Sequence, residues 1–287
     1  MTPAARVLRQ HSLRFAVLAT AASAILAGGA APAAAAPKQP LSYVALGDSY
    51  ASGFGAGSYV NGCGQSPLGL PGILDGKKQV QLVADATCAG AKAATEPGGA
   101  LDLPEQVARV AAAGALSPAT DLVTLSAGGN DVGFGEIAGA CATQSTALCA
   151  QVIAGKNATA LPALDRNLDT LFDSIDAAAP NATVAVTGYP HLFSPEFGIP
   201  VIPVASQTAF NAGTDALNAV IRKQAEAHGY TFVDLVQKFD GHGLGSPSPW
   251  ITFRAGAVDN LHPTAEGYKS VYFPAVRSSV NLAQLQR

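Results

Sequence analysis

Charge is scarce in this 287-residue chain: Asp, Glu, Lys and Arg make up only 13% of it, and the net charge is −3. No basic face is available to release counterions from a polyphosphate, so nucleic acid is not an expected partner. Cysteine is scarce as well, and none of the four stand at the two-residue spacing of a structural zinc site. Internal repeats and long linkers are missing, and only one long apolar run occurs, from Phe15 to about Gly28. It follows Arg6, Arg9 and Arg14 and precedes the small residues Ala30 to Ala36. Basic segment, apolar core and Ala-rich cleavage zone form the pattern of a secretory signal peptide, and a run made mostly of alanine is poor as a membrane span. Residues 1–36 are therefore expected to be removed after Ala33 or Ala35. A secreted protein with no stable membrane anchor is expected.

What is there, residues 37–287, suits one α/β domain with a substantial core. Export makes oxidation of the cysteines the natural expectation. Three pairings are possible, and proximity favours Cys63–Cys88 and Cys141–Cys149. Short runs rich in Val, Leu or aromatics predict strands at Tyr43–Leu46, Val80–Val83, Leu122–Leu125, Thr183–Thr187 and Thr231–Val233. Between them, periodic stretches predict helices at Leu103–Ala113, Leu161–Ala179 and Gln207–His228, with a last one from Thr264 towards Ala283 opened by Pro263. The segment Phe134–Pro162 reads as a loop-rich insertion and Pro190–Pro203 as a long loop. Strands alternating with helices imply a parallel sheet covered on both faces, with ligands beyond the carboxyl ends of its strands.

Ser49 stands where the apolar run Tyr43–Leu46 breaks at Gly47, a placement that displays a hydroxyl at a strand end. A serine hydroxyl is a poor nucleophile at neutral pH without a base in reach and donors aimed at the developing oxyanion. Of five histidines, His262 is the candidate base, standing three residues after a carboxylate, Asp259, that could orient it. The same residues also have ordinary readings. A Gly-Asp-Ser turn can simply cap a helix, and Asp259 and His262 can belong to a loop ahead of a helix start.

Four blocks in order shift the balance: Gly47-Asp-Ser49-Tyr50-Ala-Ser-Gly53, Cys88-Ala-Gly90-Ala, Ser126-Ala-Gly-Gly-Asn130-Asp131 and Asp259-Asn-Leu-His262-Pro263. With them the chain resembles the SGNH, or GDSL, hydrolase family, in its secreted actinobacterial esterase and lipase branch. The resemblance covers most of residues 37–287. It implies a single-domain three-layer α/β/α sandwich with a parallel, flavodoxin-like five-stranded sheet. It implies Ser49 as nucleophile, His262 as general base and then acid, and Asp259 as the residue orienting His262. In some members a backbone carbonyl replaces that acid; the presence of Asp259 predicts a triad here. The N–H groups of Ser49 and Gly90, with the Asn130 amide, would form the oxyanion hole. Asp48 and Asp131 are expected to be structural. The α/β-hydrolase elbow Gly-x-Ser-x-Gly is not matched, since position 51 is Ala. Relatives often carry a third disulfide after a late Gly-His pair; here Gly241-His242 is followed by Gly-Leu-Gly-Ser.

The expected activity is hydrolysis of carboxylic esters through an acyl-serine, by a monomer without metal or other cofactor. Small-molecule or lipid esters of fatty acids are the first substrate choice and acetylated polysaccharide the second. Apolar residues in two expected loops, Leu68–Leu74 and Phe193–Val204, would line an acyl groove, or else lie in the core under a loop. Two other classes stand beside this reading. One is a carbohydrate-binding protein on an inactive scaffold. The other is a metal-dependent phosphoesterase using Asp48, Asp131 and Asp259, which would lack a His-rich ligand set.

Overall fold

The computed structural model describes residues 39–98, 101–143 and 145–285. The expected signal peptide, residues 1–36, lies outside them. Five strands form one parallel sheet: β1 (Leu41–Ala45), β2 (Val80–Asp85), β3 (Leu122–Leu125), β4 (Thr183–Thr187) and β5 (Thr231–Val233), in the order β2-β1-β3-β4-β5. This is the flavodoxin-like order, and its strand sequence reverses between β1 and β3. The inner strands explain their own position. β1 and β3 are largely apolar, and every residue of β3 is buried, as a sheet sandwiched between helices requires. β2, at one edge, instead alternates towards solvent through Gln81 and Val83.

The Gly47–Ser49 turn leads into a single turn of helix, α1 (Ser49–Ser52), and a short α2 (Leu70–Asp75) follows. α3 (Leu103–Ala112) buries Leu103, Val107 and Val110, with Gln106 on the same stripe. Then come α4 (Phe134–Thr143), α5 (Thr146–Ala178) and α6 (Val204–Ala227). α5 packs against α3, α4 and α6. Of the stripe that the periodicity predicts, Leu161, Leu164, Leu168, Leu171, Phe172 and Ile175, all are buried except Leu161, which is half-buried. The carboxyl-terminal stretch contains α7 (Ala265–Gly267), a π-helical turn (Tyr268–Tyr272), α8 (Phe273–Ser279) and α9 (Leu282–Leu285). Among the described residues no helix is long and apolar enough to cross a membrane.

Three expectations about local structure need correction. The segment Phe134–Pro162 is not loop-rich; it forms α4 and the first half of α5, with Pro162 inside the helix. An interior proline removes one backbone hydrogen bond and crowds the preceding turn. Here the flanking sequence is rich in alanine, Pro162 faces solvent, and Cys149 and Ile153 are buried, so packing holds the helix together across it. The apolar run Leu68–Leu74 is largely α2, with Leu70 and Leu74 buried in the core. The last helix is broken: Thr264 caps α7 by accepting from Gly267 N at 3.2 Å, a π turn follows, and Val280 is extended.

Candidate active site

Gly47 turns the chain out of β1 at φ +126°, and a Cβ there would lie 2.5 Å from the carbonyl oxygen of Ser126. Only glycine fits that approach. The buried Gln106 grips the same residue from α3: Gly47 N donates to its Oε1 at 2.8 Å, and its Nε2 donates to Gly47 O at 3.0 Å. Asp48 then caps α1, its Oδ1 accepting from Tyr50 N and from Ser126 Oγ, both at 2.9 Å. The Tyr189 hydroxyl donates to Oδ2 of the same carboxylate and accepts from Gly129 N at 2.9 Å. Burial pushes the Asp48 carboxyl up, and these hydrogen bonds pull it back. Ser49 is thereby the first residue of a helical turn, where the N–H has no carbonyl one turn back to receive it.

His262 reaches Ser49 from a different part of the chain. Its Nε2 lies 2.8 Å from Ser49 Oγ, and its Nδ1 lies 2.8 Å from the backbone carbonyl of Asn260. A carbonyl can only accept, so Nδ1 carries the proton and Nε2 offers a lone pair to the serine hydroxyl. Tyr50 and Phe54 pack on the imidazole at centroid distances of 4.9 and 5.1 Å. Burial lowers the pKa of His262 below its ordinary value, against the Asn260 carbonyl and the charges of Asp48 and Asp259, which raise it. Burial thus favours the neutral ring, the form that a general base needs.

The other two strand ends complete the pocket. Gly90, after β2, has φ +89°, and the Asn130 side chain, after β3, donates from Nδ2 to Ala91 O at 2.9 Å. An amide carries two N–H bonds, so the second is left for the pocket. Asp131 fastens the two loops by accepting from Ala93 N at 3.0 and 3.1 Å. Burial pushes its carboxyl up to about 6, the Ala93 N–H opposing the shift and the charge of Asp48 adding to it. A disulfide, Cys63–Cys88, ties the Gly90 loop to the loop beyond α1, and Ala89 N donates to Cys63 O at 2.9 Å. Ser49, Gly90, Asn130 and His262 all line one open pocket of about 470 Å³, with Tyr50, Phe54, Phe134 and Tyr189 in its walls.

Residues 45–270 match the GDSL-like Lipase/Acylhydrolase family. The chain belongs to that family. It is 36% identical to Lipase 1 of Streptomyces coelicolor over 91% of this chain and 95% of that one. Among solved structures, the extracellular lipase of Streptomyces rimosus superposes with a TM-score of 0.72 at 34% identity, covering 83% of this chain and 99% of its own. Phospholipase A1 of Streptomyces albidoflavus NA297 does so with the same TM-score at 32% identity, covering 85% of this chain and all of its own. Membership makes the protein a carboxylic-ester hydrolase of the GDSL type.

Within this GDSL hydrolase, the expected Asp259–His262 hydrogen bond is replaced by another arrangement. The Asp259 carboxylate accepts from the Tyr59 hydroxyl and from Arg254 Nη2 at 2.8 and 2.9 Å, while Asn260 O takes the imidazole. Leu261, at φ +66°, marks the sharp turn that swings the Asn260 carbonyl towards the ring. Burial raises the Asp259 carboxyl, but Tyr59 and Arg254 outweigh it and hold it below its usual range. Asp48, Asp131 and Asp259 do not gather as a ligand set; each is occupied by protein donors. The second disulfide, Cys141–Cys149, links α4 to α5, away from these groups. Neither Leu68–Leu74 nor Phe193–Val204 lines the pocket at Ser49. In the second segment Phe193 and Ile202 are buried, while Phe197, Val201 and Val204 face solvent. Sequence reasoning missed Gln106, Tyr189 and Asn260. Only Gln106 left a signal, as a lone amide on the apolar stripe of an amphipathic helix.

Proposed function

We propose that this protein is an exported hydrolase of fatty-acyl esters that works through an acyl-enzyme at Ser49. The 2.8 Å contact between Ser49 Oγ and His262 Nε2 carries the reading. His262 takes the serine proton as the oxygen attacks the ester carbonyl, and returns it to the leaving alcohol. Water then enters by the same route and releases the acid. The N–H groups of Ser49 and Gly90 and the Asn130 amide hold the oxyanion. The Asn260 carbonyl fixes the tautomer of His262 and accepts from its Nδ1–H when the ring is charged. Asp259 acts one step removed: it braces the segment bearing His262 through Arg254 and Tyr59, and its charge favours the imidazolium. The basic, apolar and Ala-rich order of residues 1–36 supports export, as do the two disulfides.

Lipid esters are the preferred substrates because the pocket walls are aromatic and because relatives at about a third identity are named lipases and a phospholipase A1. The test is a series of p-nitrophenyl esters of increasing chain length, run beside acetylated xylan, with wild type and Ser49→Ala. Turnover of medium-chain esters that vanishes in the variant is expected. Deacetylation of xylan without turnover of longer acyl esters would overturn the substrate assignment, and an active Ser49→Ala would overturn the nucleophile.

A further inference from the structure

Two tyrosine hydroxyls reach the loop that delivers His262, and they differ in burial. Tyr59, which meets the Asp259 carboxylate, is 38% exposed. Tyr50 is only 3% exposed, and its hydroxyl donates to the carbonyl of Leu261 at 2.5 Å. Leu261 links the two groups that set the imidazole: Asn260, whose carbonyl lies 2.8 Å from His262 Nδ1, and His262 itself. At φ +66°, Leu261 has a left-handed conformation that leucine rarely adopts and that persists only where the surroundings hold it. Its N–H is held from within the loop, by Thr252 O at 2.8 Å, and its carbonyl from outside the loop, by Tyr50.

Tyr50 is itself fixed by buried groups. Its N–H donates to Asp48 Oδ1 at 2.9 Å, and its carbonyl accepts at 3.1 Å from the hydroxyl of Tyr268, which is fully buried at the head of the π-helical turn. Its ring meets Tyr189 edge-on at 5.0 Å and lies 4.9 Å from the imidazole. A side chain held at its backbone and along its ring has little rotamer freedom left, so the place of its hydroxyl is set in advance. Ser49 is the preceding residue of the same helical turn, so the serine hydroxyl and the tie to the histidine loop are carried by one rigid piece of backbone.

We propose that Tyr50 is a positioning residue for His262: by fixing the Leu261 carbonyl, its hydroxyl keeps the Asn260 carbonyl under Nδ1 and so keeps Nε2 aimed at Ser49. The one proton of the hydroxyl is committed to Leu261 O, so Tyr50 acts through the loop and not as an acid towards substrate. The inference rests on the acyl-serine reading above and adds to it what aligns the base. Losing the hydroxyl should lower kcat by about 10-fold, between the few-fold worth of one net hydrogen bond and the roughly 10²-fold cost of a misplaced catalytic group. KM should change little, because no contact to substrate is removed.

The experiment compares wild type, Tyr50→Phe and Tyr230→Phe by kcat and KM on p-nitrophenyl butyrate, by Tm, and by the NMR signal of the His262 Nδ1–H in enzyme labelled with 15N-histidine. The signal is assigned by its loss in His262→Ala. Phenylalanine keeps the ring and its packing, and circular dichroism confirms the fold. Tyr230 is the control: it stands ahead of β5, at the other end of the sheet, and its hydroxyl donates to Asp176 Oδ1 at 2.7 Å. Tyr50→Phe should lose kcat at nearly constant KM, with the Nδ1–H signal shifted or broadened by exchange with water. Tyr230→Phe should lose Tm while kcat and the signal stay as in wild type. An unchanged kcat in Tyr50→Phe, a loss of kcat with the signal unmoved, or an equal loss of kcat in Tyr230→Phe would each overturn the positioning role. The signal is read without substrate, so it tests alignment whether or not Ser49 is acylated. Failure of the acyl-serine reading shows instead as an active Ser49→Ala.

Discussion

Ser49 and His262 meet at 2.8 Å, yet they arrive from parts of the molecule built in different ways. The serine turn is continuous with the sheet. Asp48 N donates to Ser126 O, Leu46 N to Thr124 O and Cys88 N to Gly47 O, so three neighbouring strand ends are bonded to one another beside Ser49. Its supporting side chains, Asp48, Gln106, Ser126 and Tyr189, are all buried. The histidine arrives on the loop between Ile251 and Pro263, whose residues 253–256 face solvent and whose brace, the Arg254 side chain, is 64% exposed. Two backbone hydrogen bonds, Thr252 N to His262 O and Leu261 N to Thr252 O, pin that loop at its base, and the Tyr50 hydroxyl holds Leu261 O at 2.5 Å. Gly55 permits the contact from the other side, since a Cβ there would lie 2.4 Å from Pro263 O. A rigid floor thus holds Ser49 and the groups proposed as oxyanion donors, while a lightly braced surface loop delivers His262, the proposed base.

The comparison can be broken most severely at the floor. Asn130→Ala removes a fixed dipole from the proposed oxyanion pocket and should lower kcat by about 10²–10³-fold with little effect on KM. Steady-state kinetics on a short ester checks this, and a loss confined to KM would mean that Asn130 only binds substrate. On the loop side, Asp259→Asn should cost far less. Its partner Arg254 is largely exposed, so the brace contributes about 1 kcal/mol, or roughly fivefold in rate. A loss near 10⁴-fold, the size seen when a triad acid is neutralised, would show that the carboxylate itself orients the ring.

The two disulfides extend the contrast. Cys63–Cys88 tethers the loop bearing Gly90, so its removal should lower kcat before the protein melts, whereas removing Cys141–Cys149 should act on stability. Opening such a bridge costs on the order of 2–4 kcal/mol. Activity and circular dichroism followed together in the two paired Cys→Ser variants distinguish these outcomes, and parallel loss of activity and structure in the first would contradict the tethering role.

The smallest effect concerns pH. Because burial lowers the pKa of His262, the acid limb of kcat/KM should fall below the ordinary histidine value of about 6.5. Asp131 has the opposite sign for stability. Its folded value of about 6 exceeds the unfolded 3.8, so its contribution is present at low pH and is lost as pH rises through about 6. Asp131→Asn should therefore be less destabilised than wild type on going from pH 4 to pH 7, measured as the change in Tm.

Much of this was legible from residue order because the strand signals are local. Val and Leu runs placed all five strands within a few residues, and the four family blocks pointed to the three strand ends and the histidine loop that meet at the pocket. What escaped depends on tertiary context. Phe134–Pro162 read as loop because glycine and proline weigh heavily in local propensity, whereas its helices rest on packing around Cys149 and Ile153. Leu68–Leu74 looked available for substrate because a buried helix turn and an apolar loop share one composition. Asp259 looked like the orienting acid because sequence gives its spacing from His262 but not the φ of Leu261. That one dihedral, with Arg254 close by to claim the carboxylate, hands the imidazole to a backbone carbonyl instead.

The central claim is that Ser49 becomes acylated because His262 removes its proton. Treating the enzyme with a fluorophosphonate, digesting it and mapping the modified peptide by mass spectrometry tests that directly. The adduct should sit on Ser49 in wild type and form at least 10³-fold more slowly in His262→Ala. An adduct on a different residue, or one forming on Ser49 at an unchanged rate without the histidine, would contradict the account.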